Sequence, residues 1–346
     1  MNNSSIPCVM PWIAFNIETI EGDVYPCCRD WSLQSYGNVH TDSIKSIRNS
    51  KVAIQHRKAM LCGQIEDFCR KTCPKLQDGS AGIDKLRKIT TSGTFTHNTV
   101  HALAELESGE MIVNSTPVLL QLLTTSYCNL RCVMCTQPHN NSGHLPPELY
   151  DEIEQILPGA FRITLLGGEV LADYWTRSYL LGLTKEKLGD TRIGLVTNGL
   201  LLDTVFHERL SQYCFDYIIV SVNAASVATY KRVHGRNAFT RVLQNLKLMM
   251  AEAPEIPWFA SFVIQPENHR DLPGFVTLCK NVGVGMKFVP VVNESCSFSD
   301  ESTSSLINSI QRALDNLGPG YDNEFRQLLH AGEVLTGKPI CIEKGI

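Results

Sequence analysis

Three cysteines within eight residues, in Tyr127-Cys128-Asn129-Leu130-Arg131-Cys132-Val133-Met134-Cys135, constrain this chain more than any other stretch. The spacing Cys-x3-Cys-x2-Cys follows an apolar run at 118–123, which reads as a buried strand ending in a short loop. Three thiolates on such a loop can hold three irons of a cubane cluster. Cubanes ordinarily take four cysteines, so one iron keeps an open position. A metal with an open position binds and activates a small molecule, as open catalytic zinc sites do. The competing readings are a zinc knuckle and ordinary buried thiols. Zinc knuckles usually present four ligands in paired Cys-x2-Cys clusters. No fourth partner follows here at such spacing, and packing alone asks for fewer thiols.

The loop resembles the signature of the radical S-adenosylmethionine (SAM) superfamily. The resemblance implies that Cys128, Cys132 and Cys135 hold a 4Fe–4S cluster whose open iron chelates the amino and carboxylate groups of SAM. It further implies reductive cleavage of SAM to a 5′-deoxyadenosyl radical, hydrogen abstraction from a substrate, and a low-potential electron donor of flavodoxin or ferredoxin type. The residue before the last cysteine, often aromatic in the superfamily and packed near the adenine, is Met134 here. A thioether makes a similar soft contact.

At 346 residues the chain has room for about two domains, and its 43% hydrophobic content supplies an ample core. A formal net charge of -4 gives no electrostatic case for a nucleic-acid partner. No apolar run approaches the roughly 18 residues of a membrane span. The opening Met1-Asn2-Asn3-Ser4-Ser5 lacks a signal peptide's charged start. The expectation is a cytoplasmic protein with no membrane partner. Its thirteen cysteines then serve mostly as metal ligands, because that compartment keeps thiols reduced. They fall in two groups: Cys8, Cys27, Cys28, Cys62, Cys69 and Cys73 first, then the 128–135 loop, with Cys214, Cys279, Cys296 and Cys341 scattered singly.

In the first group, 13–20 reads as a strand, Glu21-Gly22-Asp23 as a turn and 24–28 as the returning strand. That hairpin brings Cys8 near Cys27. Residues 42–59 read as one helix, and Cys69-Arg70-Lys71-Thr72-Cys73 closes the module before Pro74. Cys8, Gly22-x4-Cys27 and the later pair resemble the SPASM/twitch module of many radical SAM enzymes, as do Pro11-Trp12 and Gly37-Asn38. The resemblance implies a second, auxiliary 4Fe–4S cluster on Cys8, Cys27, Cys69 and Cys73, in the one-cluster twitch form. The same thiolates also read as a structural zinc site, and Cys28 and Cys62 stay open as replacement ligands. The module here precedes the barrel, whereas in most such enzymes it follows.

The expected domain order is a twitch-like module at 1–80, a linker at 81–116, a barrel at 117–300 and a helical extension at 301–346. The linker is Gly-, Ser- and Thr-rich, with short helices at 84–88 and 101–107. Candidate strands at 118–123, 162–166, 192–196, 217–222, 258–264 and 286–292 alternate with helices at 147–157, 202–213, 237–250 and 272–282. Such repeats indicate a parallel sheet with right-handed crossovers, here an α/β fold with a partial (β/α)6 radical SAM barrel. Catalytic groups belong at its C-terminal strand ends. Those ends carry Gly167-Gly168-Glu169, Thr197-Asn198-Gly199, Ser221-Val222-Asn223 and, more weakly, Gln265-Pro266-Glu267-Asn268. The first resembles the superfamily's GGE motif, implying that Glu169 takes the amino group of SAM. Asn198, Ser221 and Asn223 lie where relatives hold its ribose and carboxylate. Each alone also reads as an ordinary turn; four in register with the cysteine loop do not.

Three reactions are open. The first is modification of a ribosomally made peptide by crosslinking, epimerisation or excision, which a separate peptide-recognition partner chain would assist. The second is oxidation or epimerisation of a small molecule such as a sugar, cyclitol or amino acid. The third, a non-enzymatic iron–sulfur scaffold, has no need of the polar strand ends. Cys296, just past the sixth strand, is the candidate catalytic residue: a thiol there can return a hydrogen atom to a carbon radical, and it also reads as a packing cysteine. The tail shows helices at 306–317 and 324–330, then a polar end from 332.

Overall fold

The computed structural model describes residues 6–77, 79–91, 97–137, 143–202, 213–293, 296–338 and 340. The chain opens with one helical turn, α1 (Met10–Ile13), whose Pro11 sits in the first turn, where its missing N–H costs nothing. It runs on into β1 (Ala14–Ile17) and returns as antiparallel β2 (Asp23–Tyr25), so the expected hairpin is present. Gly22 between them has φ +86°, and a Cβ there would lie 2.6 Å from the His40 ring. Both facts require glycine. Strand β3 (Gly37–Asn38) pairs with β2.

The helix expected at 42–59 is two helices, α2 (Ile44–Arg48) and α3 (Lys51–Cys62). Ser43 and Ser50 accept hydrogen bonds from the N–H groups of Ser46 and Ala53, and each starts a helix of its own. α4 (Pro74–Gln77) follows Cys73. The stretch expected as a connector carries α5 (Ile83–Thr91) and α6 (His97–Ser108), longer than the short pieces foreseen. Ile83, Leu86, Ile89, Ala102 and Leu106 enter the same core as Cys8, Trp12, Met60 and Phe68. A helix with one apolar face must bury it against something, and the N-terminal module is what it meets. Arg57 ties this core together, donating to the carbonyls of Pro11, Met111 and Arg48.

Strand β4 (Leu119–Leu123) runs parallel to β1 on one side and to β5 (Arg162–Leu166) on the other. β6 (Arg192–Thr197) follows, parallel to β5. The crossovers are α7 (Pro147–Ile156), then α8 (Tyr174–Gly182) and α9 (Lys185–Leu188). α8 was not foreseen: its start is marked by Asp173, which accepts from the Thr176 N–H, while its first residue, Tyr174, is exposed. These elements belong to one compact unit, Met1–Tyr127, Asn140–Leu195 and Ser211–Asp216, with strand order β3-β2-β1-β4-β5-β6.

The second unit comprises Cys128–His139, Val196–Leu210 and Tyr217–Ile346. Here β7 (Phe215–Ser221), β8 (Trp258–Ile264) and β9 (Gly285–Pro290) run parallel in that order. The helices are α10 (Val227–His234), which was not foreseen, α11 (Phe239–Glu252) and α12 (Leu272–Val282). α13 (Asp300–Leu317) packs on α12, and α14 (Asp322–Thr336) covers β9, whose Phe288 N–H donates to Gln327. The polar tail therefore begins after Thr336, where Gly337 at φ +66° ends the helix, and not at 332. The helix expected at 202–213, the Ser92-Gly93-Thr94 stretch, Glu294, Ser295 and Cys341 lie wholly or mostly outside the described residues. Strands β4–β9 and their crossovers keep the order of a partial (β/α)6 barrel preceded by a small cysteine-rich module. Among the described residues no helix is long and apolar enough to cross a membrane.

Candidate active site

In the second unit the cysteine loop is held by the end of α10. The last carbonyls of a helix lack partners within it; here Arg131 N–H donates to the His234 carbonyl at 3.3 Å and Val133 N–H to that of Val233 at 2.9 Å. Gly235, at φ +71°, lets the chain leave, and a Cβ on it would lie 3.2 Å from the Arg131 carbonyl oxygen. His234, which sequence reasoning missed, sets Nδ1 3.0 Å from Cys132 Sγ and Nε2 3.1 Å from the Val222 carbonyl oxygen. A carbonyl only accepts, so Nε2 carries the hydrogen and Nδ1 of the neutral ring faces the sulfur bare. Burial holds His234 down at about 4. Burial, and then the neighbouring thiols of Cys128 and Cys135, push Cys132 up. The three thiols are thus gathered on one loop.

Other expected residues meet the same loop. Asn198, after β6, donates from Nδ2 to Asn129 Oδ1 at 2.7 Å and lies 4.0 Å from Cys128 Sγ. Met134 accepts at its sulfur from Gln265 Nε2 at 3.4 Å, and its carbonyl accepts from Asn293 Nδ2 at 3.4 Å. Gln265, fully buried, is thereby a stronger participant than its sequence suggested. Cys296 Sγ lies 3.6 Å from the Val133 carbonyl oxygen. Asn223 is the exception: at φ +55°, it spends Oδ1 on the Val263 N–H of β8 at 2.7 Å. Ser221 ends β7, half-buried.

In the first unit, Gly167-Gly168-Glu169 follows β5. Gly168 N–H donates to the Thr125 carbonyl and Glu169 N–H to that of Tyr127, each at 2.7 Å. A Cβ at Gly167 would lie 2.6 Å from the Thr125 oxygen, and one at Gly168 would overlap the Tyr127 carbonyl. These glycines therefore allow close approach to the strand end that enters the cysteine loop. Glu169 is 2% exposed, with Oε1 accepting from the Leu171 N–H at 3.1 Å.

The first unit also buries Cys8, Cys27, Cys69 and Cys73 together. Burial pushes the Cys69 thiol up to about 12, with Cys8 and Cys73 adding to it. Burial raises Cys27 likewise, against Lys75, with Cys8, Cys73 and Cys69 all contributing. Cys28 turns elsewhere: its Sγ donates to Asp30 Oδ2 at 3.2 Å, and burial, then Glu18 and Asp30, push it up. Cys62 is exposed at the end of α3. Four buried soft donors suit an iron–sulfur cluster. Among the described residues no three His, Cys, Asp or Glu side chains converge as ligands of a single ion. His56, also missed from sequence, lies between Tyr36 and Cys69.

Residues 122–279 match the model of the radical SAM superfamily, and residues 8–74 match that of SPASM, an iron–sulfur cluster-binding domain. Similar curated proteins include a probable GTP 3′,8-cyclase of Saccharolobus solfataricus, 28% identical over 169 residues, covering 48% of this chain and 54% of that protein. Another is the GTP 3′,8-cyclase of Petrotoga mobilis, 25% identical over 180 residues, covering 49% and 54%. The chain spans about half the length of these relatives. Among solved structures, Streptococcus suis SuiB bound to S-adenosylmethionine is similar at TM-score 0.49 and 13% identity, covering 70% of this chain and 61% of that one. Native anSMEcpe with bound AdoMet is similar at TM-score 0.46 and 16% identity, covering 65% and 63%.

Proposed function

We propose that this chain, which belongs to the radical SAM superfamily and carries a SPASM iron–sulfur module ahead of its barrel segment, cleaves SAM reductively and modifies a ribosomally made peptide. The observation that carries the reading is the gathering of Cys128, Cys132 and Cys135 on the loop stitched to α10. Those three would hold the SAM-binding 4Fe–4S cluster, and Cys8, Cys27, Cys69 and Cys73 an auxiliary one. When bound, the first cluster and SAM supply a 5′-deoxyadenosyl radical that abstracts hydrogen from the substrate. Glu169 would take the amino group of SAM. Asn198 and Ser221 would face its ribose and carboxylate, and Met134, oriented by Gln265, its adenine. Gly167 and Gly168 would position Glu169 by letting the backbone pack against Thr125 and Tyr127. Asn223 would contribute at the SAM site through its side-chain amide nitrogen, because Oδ1 is bound to β8 and its backbone N–H and carbonyl are bound to Ser261 and Asn268. In an epimerising reaction Cys296 would return the hydrogen atom.

For the peptide reading, Val133 on the loop is 44% and Val292 51% exposed, apolar side chains that a bound peptide would cover. A second reading, a small-molecule substrate, is favoured by the similarity to GTP 3′,8-cyclases. We place either reaction in the cytoplasm, with a flavodoxin- or ferredoxin-type donor and, for a peptide, a separate recognition chain. Anaerobically reconstituted protein is incubated with SAM and dithionite, then with GTP or with candidate precursor peptides. A mass change in the peptide supports the first reading, and turnover of GTP the second. A fully loaded protein that forms no 5′-deoxyadenosine sinks both.

A further inference from the structure

One histidine beside the N-terminal thiols is held at both ring nitrogens. His56 on α3 is 1% exposed, and its ring stacks on Phe68 with centroids 4.7 Å apart. Tyr36 Oη lies 2.9 Å from Nδ1, and Cys69 Sγ lies 3.4 Å from Nε2. We propose that His56, oriented by Tyr36, donates a hydrogen bond from Nε2 to the sulfur of Cys69 and raises the reduction potential of the auxiliary cluster. The inference rests on the proposed ligand set of Cys8, Cys27, Cys69 and Cys73.

The direction of the bond follows from proton counting. A thiolate bound to iron carries no hydrogen, so the one between Nε2 and Sγ must be the ring's. Nδ1 of the neutral ring then accepts, and the buried Tyr36 hydroxyl is its donor. All three groups are satisfied without an added charge. Reduction places more negative charge on the cluster and its sulfurs, and an N–H aimed at one of them stabilises that state more than the oxidised one. Hydrogen bonds to sulfur are among the levers that set cluster potentials. The 128–135 loop lacks this donation from its own histidine. Nε2–H of His234 goes to the Val222 carbonyl, so Nδ1 of the neutral ring has no hydrogen for Cys132. That loop takes its N–H···S contact from the backbone instead, Leu130 N–H donating to Cys128 Sγ at 3.4 Å. His56 is a positioning residue and touches no substrate in this account.

The test uses the full chain carrying Cys128→Ala, Cys132→Ala and Cys135→Ala, so that one cluster is titrated, followed by EPR and visible absorption. Adding His56→Leu is expected to leave the iron content unchanged and to shift reduction to a more negative potential. His56→Gln, whose amide N–H can reach the sulfur, should recover part of that shift, a rescue that a packing role would not produce. Tyr36→Phe should move the potential in the same direction by less. If His56→Leu does not load, the Tyr36→Phe shift decides alone. Unmoved potentials in loaded variants overturn the inference and leave the ligand set standing. A parent that binds no iron overturns the ligand set and the inference together.

Discussion

At Gly168 one methyl group would overlap the Tyr127 carbonyl, and backbone there cannot move without moving the residue before Cys128. Overpacking of this kind costs about 1–3 kcal/mol. Gly168→Ala is therefore expected to lower the melting temperature and weaken SAM binding at least about tenfold, measured by calorimetric titration of the loaded protein. Native affinity in Gly168→Ala would show that the crossing relaxes freely. Cys296 poses the opposite problem, because its sulfur already has a partner in the Val133 carbonyl. If the reaction inverts a carbon centre, Cys296→Ala should still form 5′-deoxyadenosine yet stop incorporating solvent deuterium into product. Undiminished deuterium incorporation would remove this thiol as the donor. If the reaction is an oxidation or a crosslink, the same variant should be nearly normal.

Helix α3 shows how one cap can govern a site at a distance. Its N-cap, Ser50, fixes where the helix starts, and so where His56 and Arg57 point. Loss of a serine N-cap costs about 1 kcal/mol. Ser50→Ala should lower stability by that amount in chemical denaturation, while Ser50→Asp, which also caps, should restore it. An uncapped variant as stable as the parent would mean that Arg57 and its three carbonyl partners alone hold the helix. This break was legible in principle, since Asn49-Ser50 is a start signal; the continuous apolar phase on both sides concealed it. α10 was harder to foresee. It is only 8 residues long between the Ser226 N-cap and Gly235, and its last carbonyls are taken by the distant cysteine loop.

For the whole molecule the two sets of thiols imply two separable clusters. The Cys128→Ala, Cys132→Ala, Cys135→Ala variant should lose 5′-deoxyadenosine formation completely and keep about four irons per chain with thiolate-to-iron absorption. A colourless variant, or one holding zinc after anaerobic expression, would remove the auxiliary cluster. Because Cys8, Cys27 and Cys69 are also core residues of the N-terminal module, replacing them should destabilise it beyond the loss of iron.

The sequence by itself determined what is local and periodic. The Cys-x3-Cys-x2-Cys loop, the six βα strands, the GGE turn and the N-terminal hairpin all rest on spacing within a few residues, and spacing survives in one dimension. The tertiary structure alone decided what depends on residues far apart in the chain. His234 stands 102 positions from Cys132, and Gln265 stands 131 from Met134. The same holds for the choice among N-terminal thiols. Cys27 and Cys28 are neighbours, yet one faces Cys8, Cys69 and Cys73 while the other faces Asp30, because the chain bends just past the end of β2 at Tyr25. Which side is inward was settled only when the later helices closed over the hairpin.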